Sequence, residues 1–177
     1  MFGRQQDHSR DAIDWSEVST PALAACALAA ALILWMAHTG QQWVHVIDSA
    51  NLAFHEAGHL IYGVFGHRLA VYGGTLGQLT FPLIAAWMFH RQKSALSFGV
   101  ALIWLGENFF NIARYMADAR SQELPLVGGG DHDWTEIFSR WGVLDSDTLL
   151  AGLVRLLGWG IVCGALWWLW RRSRVDA

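Results

Sequence analysis

The chain has 177 residues, 54% of them hydrophobic, with 11 Trp and only 12 Lys plus Arg beside 15 Asp plus Glu. So little charge cannot cover a soluble domain of this size, and apolar runs long enough to cross a bilayer recur, so a membrane protein is expected. A net charge of -3, with no basic block outside the C-terminus, argues against a nucleic-acid-binding protein.

Residues 1–20 read as a polar N-terminal arm, with "DWSEV" as a short interfacial helix carrying Trp15 at headgroup level. The remainder, 21–177, reads as a single membrane-embedded domain. The first span covers 21–37, with Pro21 in a first-turn position. Asp48 is expected to cap a second helix that runs to about residue 65. Its sixteen or so residues give roughly 24 Å at helical rise, which suits a submerged helix better than a full span.

The stretch "RLAVYGGTLGQLTFP" breaks the helical pattern. Residues 68–72 alternate loosely and are expected to be extended, with Gly73-Gly74 as a turn. Such a strand could bind an unwound substrate along its edge. An apolar segment at 76–89 and a basic turn "HRQK" follow. A helix is expected over 94–117, then a long polar connection at 118–146 with a short amphipathic helix starting near Asp133. The last span covers 149–170 and ends in a Trp belt and "RRSR". The fold class is thus an all-α polytopic helical bundle of four to five membrane segments. It is expected to be an integral, multi-pass protein of the cytoplasmic membrane if the source is bacterial, with lipid as a constant partner. Cys26 and Cys163 both lie in apolar runs and read as packing residues rather than a disulfide.

Within the second helix, "NLAFHEAGHLIYGVFG" puts His55, Glu56 and His59 among apolar neighbours. Ionisable groups are costly in such a place and mark a function. His-Glu-x-x-His on a helix sets two imidazoles one turn apart on one face, where both can reach one Zn²⁺ at about 2.0–2.1 Å. Glu56 stands beside them as a general base for water.

The stretch "FHEAGHLIYGVFG" resembles the metal-binding helix of the site-2 protease family of intramembrane zinc metalloproteases. The likeness implies a helical membrane core and cleavage of membrane-associated protein substrates. His55 and His59 would be zinc ligands and Glu56 the catalytic base. In that family the third ligand is an Asp from a later membrane segment. No Leu-Asp-Gly or Asn-Pro-x-Asp-Gly segment stands here to supply it.

A catalytic zinc needs three protein ligands and an open position. The best later source is "GGGDHDW", where flexible glycines precede Asp131, His132 and Asp133. His132 is the favoured third ligand, with Asp131 and then Asp133 as alternatives. Either aspartate could instead cap the helix that follows. On the 94–117 helix, Glu107, Asn111 and Arg114 share one face with Asp118, and Glu107, Asn108 and Asn111 are candidates for supporting the ligands or holding substrate. The leading expectation is a zinc metallopeptidase. The alternatives are a non-catalytic metal-binding membrane protein (a transporter, a sensor or an inactive relative) and a hydrolase of lipid or small amides.

Overall fold

The computed structural model describes residues 14–127 and 131–175. It is an all-α helical bundle, with no strand among the described residues. Six α-helices follow in order: α1 (Thr20–His38), α2 (His45–Gly63), α3 (His67–Arg91), α4 (Ala95–Ala117), α5 (Asp133–Trp141) and α6 (Asp147–Val175). Four of them, α1, α3, α4 and α6, are long and apolar enough to cross a membrane. Their outward faces carry Leu28, Leu32, Trp35, Leu153, Leu156 and Trp167, all exposed. Such surfaces would be a liability in water and are ordinary against lipid.

The helix ends follow local rules. Ser19 caps α1 through its side chain, with Pro21 in the first turn. α2 begins at His45, ahead of the expected cap. Val44 is the N-cap residue, and Asp48, expected there, sits in the first turn and closes the helix start by accepting the Val44 N–H at 2.5 Å. Gly142, with φ of 68°, closes α5 in the left-handed conformation.

Two expectations are overturned. Residues 14–18 form no helix. They are instead pinned to the α3–α4 turn, where the Ser16 N–H donates to the Lys93 carbonyl at 2.8 Å, and to α6, where Trp15 packs edge-on against Trp168. Residues 68–72 are not extended either, because α3 runs unbroken from His67 through Gly73, Gly74 and Pro82. No strand edge exists there for a substrate to join.

The reason is tertiary. Gly73 and Gly77 face Gly58 of α2 so closely that a Cβ on any of the three would meet the opposing backbone. Small residues let membrane helices touch, and a helix satisfies its own backbone where water is absent. Those two effects outweigh the poor helix propensity of glycine. α2 and α3 therefore form a tight antiparallel pair, in which Phe54 stacks on Phe81 and His59 meets Ala70. On the other side of the bundle, α6 lies along α4 and buries Val162 and Leu169. The short α5 closes over one end of α3, α4 and α6 through buried Trp134, Ile137 and Phe138.

Candidate metal centre

His55 and His59 project from one face of α2, and their rings lie 4.8 Å apart. Each ring is held by its Nδ1. That of His59 donates to the Ala70 carbonyl at 2.8 Å, since a carbonyl can only accept. That of His55 faces Gln78 Oε1 at 3.3 Å. Both Nε2 atoms then point at Asp133, whose Oδ2 lies 2.9 Å from His55 and 3.2 Å from His59.

Gly74 makes the His55 position possible. A Cβ there would fall on the imidazole itself. The ring lies against the α3 backbone, in the space a side chain would fill.

The donor set fits a zinc ion. Ligand atoms from His55, His59 and Asp133 all lie within 4.8 Å of one another. Four ligands at about 2.0–2.1 Å from a tetrahedral metal stand about 3.3 Å apart, so small adjustments would admit the ion. The carbonyl and amide partners behind the two imidazoles are the kind that fix metal-binding histidines. The fourth side opens on a cavity of about 660 Å³, which Glu56, Asn111 and Tyr115 also line. The Glu56 side chain is half-buried and lines this cavity, where solvent or substrate can reach its carboxylate.

Asp133 reaches the histidines because α5 is anchored at its start. The Asp133 N–H donates to the Tyr115 hydroxyl at 3.2 Å, and the Thr135 hydroxyl donates to the Ala119 carbonyl. Burial opposes charge on Asp133, but the His55 and His59 rings that face it hold its carboxyl below the usual carboxylate range.

Of the three candidates, it is Asp133 and not the favoured His132 whose side chain faces the two histidines. His132 is the N-cap of α5, and its Nδ1 accepts the Thr135 N–H at 3.3 Å. Its Nε2 lies 3.4 Å from Asp118 Oδ2, and its ring packs 4.2 Å from that of Tyr115. A cap residue folds its side chain back over its own helix start, so it is the next residue, Asp133, that swings across to α2. Burial pushes the His132 imidazole below its ordinary pKa against the pull of Asp118. Asp131 lines the cavity, exposed.

The other candidates separate. Asn111 is joined to His55 through Gln78, which donates to Asn111 Oδ1 at 2.7 Å. Glu107 lies outside the cavity, fully buried, and accepts from Asn51 at 2.7 Å. Asn108 is also buried, and its amide donates to the Trp104 carbonyl. Sequence reasoning missed Gln78, Tyr115 and Ala70. Gln78 left a signal, as an amide inside an apolar helix one turn beyond Gly74. Ala70 left none, because it acts only through its carbonyl.

No family model, no curated protein and no solved structure matches this chain.

Proposed function

We propose that this chain is a multi-pass membrane zinc metalloprotease, similar to the site-2 proteases, that hydrolyses peptide bonds of membrane-associated proteins. One observation carries the reading. One Asp133 oxygen lies within 3.2 Å of both Nε2 atoms of the "HEAGH" helix, and Glu56 lines the same open cavity. An aspartate from a later segment is also what the family resemblance calls for.

His55, His59 and Asp133 would hold the metal. Two imidazoles and one carboxylate suit Zn²⁺ and leave one position open. When bound, the ion supplies Lewis acidity to a carbonyl and to water. The chain supplies the rest. The Glu56 carboxylate accepts a proton from the attacking water and returns it to the departing amide nitrogen. Asp133, carrying the one formal charge among the ligands, partly neutralises the cation. The cavity holds the substrate segment beside these groups and limits its contact with bulk water.

The test is zinc content and protein-cleaving activity of the purified wild type beside Glu56→Gln. The amide cannot take a proton from water, so the variant should keep its zinc and lose roughly 10²–10⁴-fold in turnover. Normal turnover by Glu56→Gln would end the protease reading. A wild type that binds zinc tightly and cleaves nothing would instead support a non-catalytic metal-binding protein.

A further inference from the structure

Behind His55 runs a chain of polar side chains, Gln78 and Asp48 buried and Asn111 half-buried, that the proposed chemistry does not use. Gln78 Oε1 faces His55 Nδ1 at 3.3 Å, and Gln78 Nε2 donates to Asn111 Oδ1 at 2.7 Å. Asn111 Nδ2 donates to Asp48 Oδ1 at 2.7 Å. Asp48 is 1% exposed, and its Oδ2 accepts the Val44 N–H. The chain therefore leads from a buried carboxylate, through two amides, to a metal-binding histidine.

Its direction is not arbitrary. A carboxylate only accepts, so Asn111 must turn its NH₂ to Asp48 and its oxygen to Gln78. Gln78 must then give its NH₂ to Asn111 and its oxygen to His55. An oxygen at that place requires the proton of His55 on Nδ1 and leaves the Nε2 lone pair for a metal. A side branch agrees. The Trp104 N–H can only donate, and it meets Asn51 Oδ1 at 2.9 Å, so Asn51 turns its NH₂ toward Asp48 and Glu107.

We propose that Asp48 is a positioning residue for the metal centre: it fixes the direction of the Gln78–Asn111 hydrogen-bond chain and so keeps His55 in the form that presents Nε2 to the ion. This rests on the metal-centre reading above. With an amide at 48, the Val44 N–H would hold the amide oxygen and turn its NH₂ toward Asn111. The chain would then run the other way, and Gln78 would present its NH₂ to the Nδ1 of His55.

The experiment measures zinc affinity by chelator competition on the purified full chain. Asp48→Asn is nearly isosteric but abolishes the acceptor-only end, and it should weaken zinc about tenfold or more, as loss of an outer partner of a metal-binding histidine does. The swap Asp48→Asn with Asn111→Asp moves the carboxylate one link along. It accepts from Gln78 and from the new amide at 48, so the direction survives. Affinity should return to within about threefold of wild type, against that tenfold scale. Simple loss of a buried charge or of packing would not be repaired this way. Gln78→Met, which leaves Asp48 and its cap of α2 intact, should cost about tenfold and serves where Asp48→Asn does not fold. Wild-type affinity in Asp48→Asn or in Gln78→Met overturns the proposal. So does a double variant no better than the single one. A wild type that binds no zinc overturns the metal centre itself, before any variant is made.

Discussion

The His55 Nε2 and the Asp133 Oδ2, 78 residues apart in the chain, lie 2.9 Å from each other. Every other feature of the site serves that meeting. α2 supplies two imidazoles and α3 supplies the groove behind them. α4 ends in the Tyr115 hydroxyl that holds the start of α5.

Replacing the two neighbours at that helix start should separate ligand from cap. Asp133→Ala removes a donor and should lower zinc affinity by more than about 100-fold, beyond the range for outer partners. His132→Ala removes a cap and a contact to Asp118, and its cost should stay near tenfold. Chelator competition on both variants reads the difference. The reverse ranking would restore His132 as the ligand.

Glycine 74 offers a steric test. Alanine is ordinarily favoured over glycine inside a helix by about 1 kcal/mol. At this position the added methyl would collide with the His55 ring, so the helix gain is overridden and zinc binding should be lost. Gly152 has nothing within 4 Å of such a Cβ, and Gly152→Ala should bind zinc like wild type. Zinc stoichiometry of the two purified variants decides it.

Asp118 makes the connection to α5 dependent on pH. Burial pushes its carboxyl up. Hydrogen bonds from Ser121 and from the Glu123 and Leu124 N–H groups, with His132 alongside, outweigh that and hold it below its ordinary 3.8. A carboxyl depressed by folding contributes stability above its unfolded pKa, and the contribution is lost as pH falls through the folded one. Exchange at the Glu123 and Leu124 amides, corrected for intrinsic rate, should be slow near neutrality and should quicken below about pH 4. Asp118→Asn should raise it near neutrality and leave little further acceleration in acid. Exchange unaffected by acid and by the substitution would show that this carboxylate does not hold the turn.

Acid should also strip the metal. The ligands must be deprotonated to bind, so zinc affinity should fall as pH drops. In His59→Ala the residual binding should fall less steeply, since one proton-competing imidazole is gone. A titration of zinc affinity against pH, wild type beside variant, reads the two slopes. Equal slopes would mean that His59 is not a ligand.

The sequence by itself determined whatever depends on neighbours within a turn or two. The apolar runs gave α1, α4 and α6 to within a few residues. The spacing of His55 and His59 put both on one face, because four residues is close to one helical turn. The shift to "DWTEIF" after three glycines placed the start of α5. Only the tertiary structure decided the rest. α3 is continuous because Gly58, Gly73 and Gly77 let two backbones touch, and propensity cannot weigh a contact between distant segments. Asp133 faces the histidines and His132 does not, because anchoring by Tyr115 and Ala119 sets how the helix start is turned. Adjacent residues on a helix point about 100° apart. Composition therefore found the triplet that lies beside the histidines, and rotation of the helix start decided which of its side chains faces them.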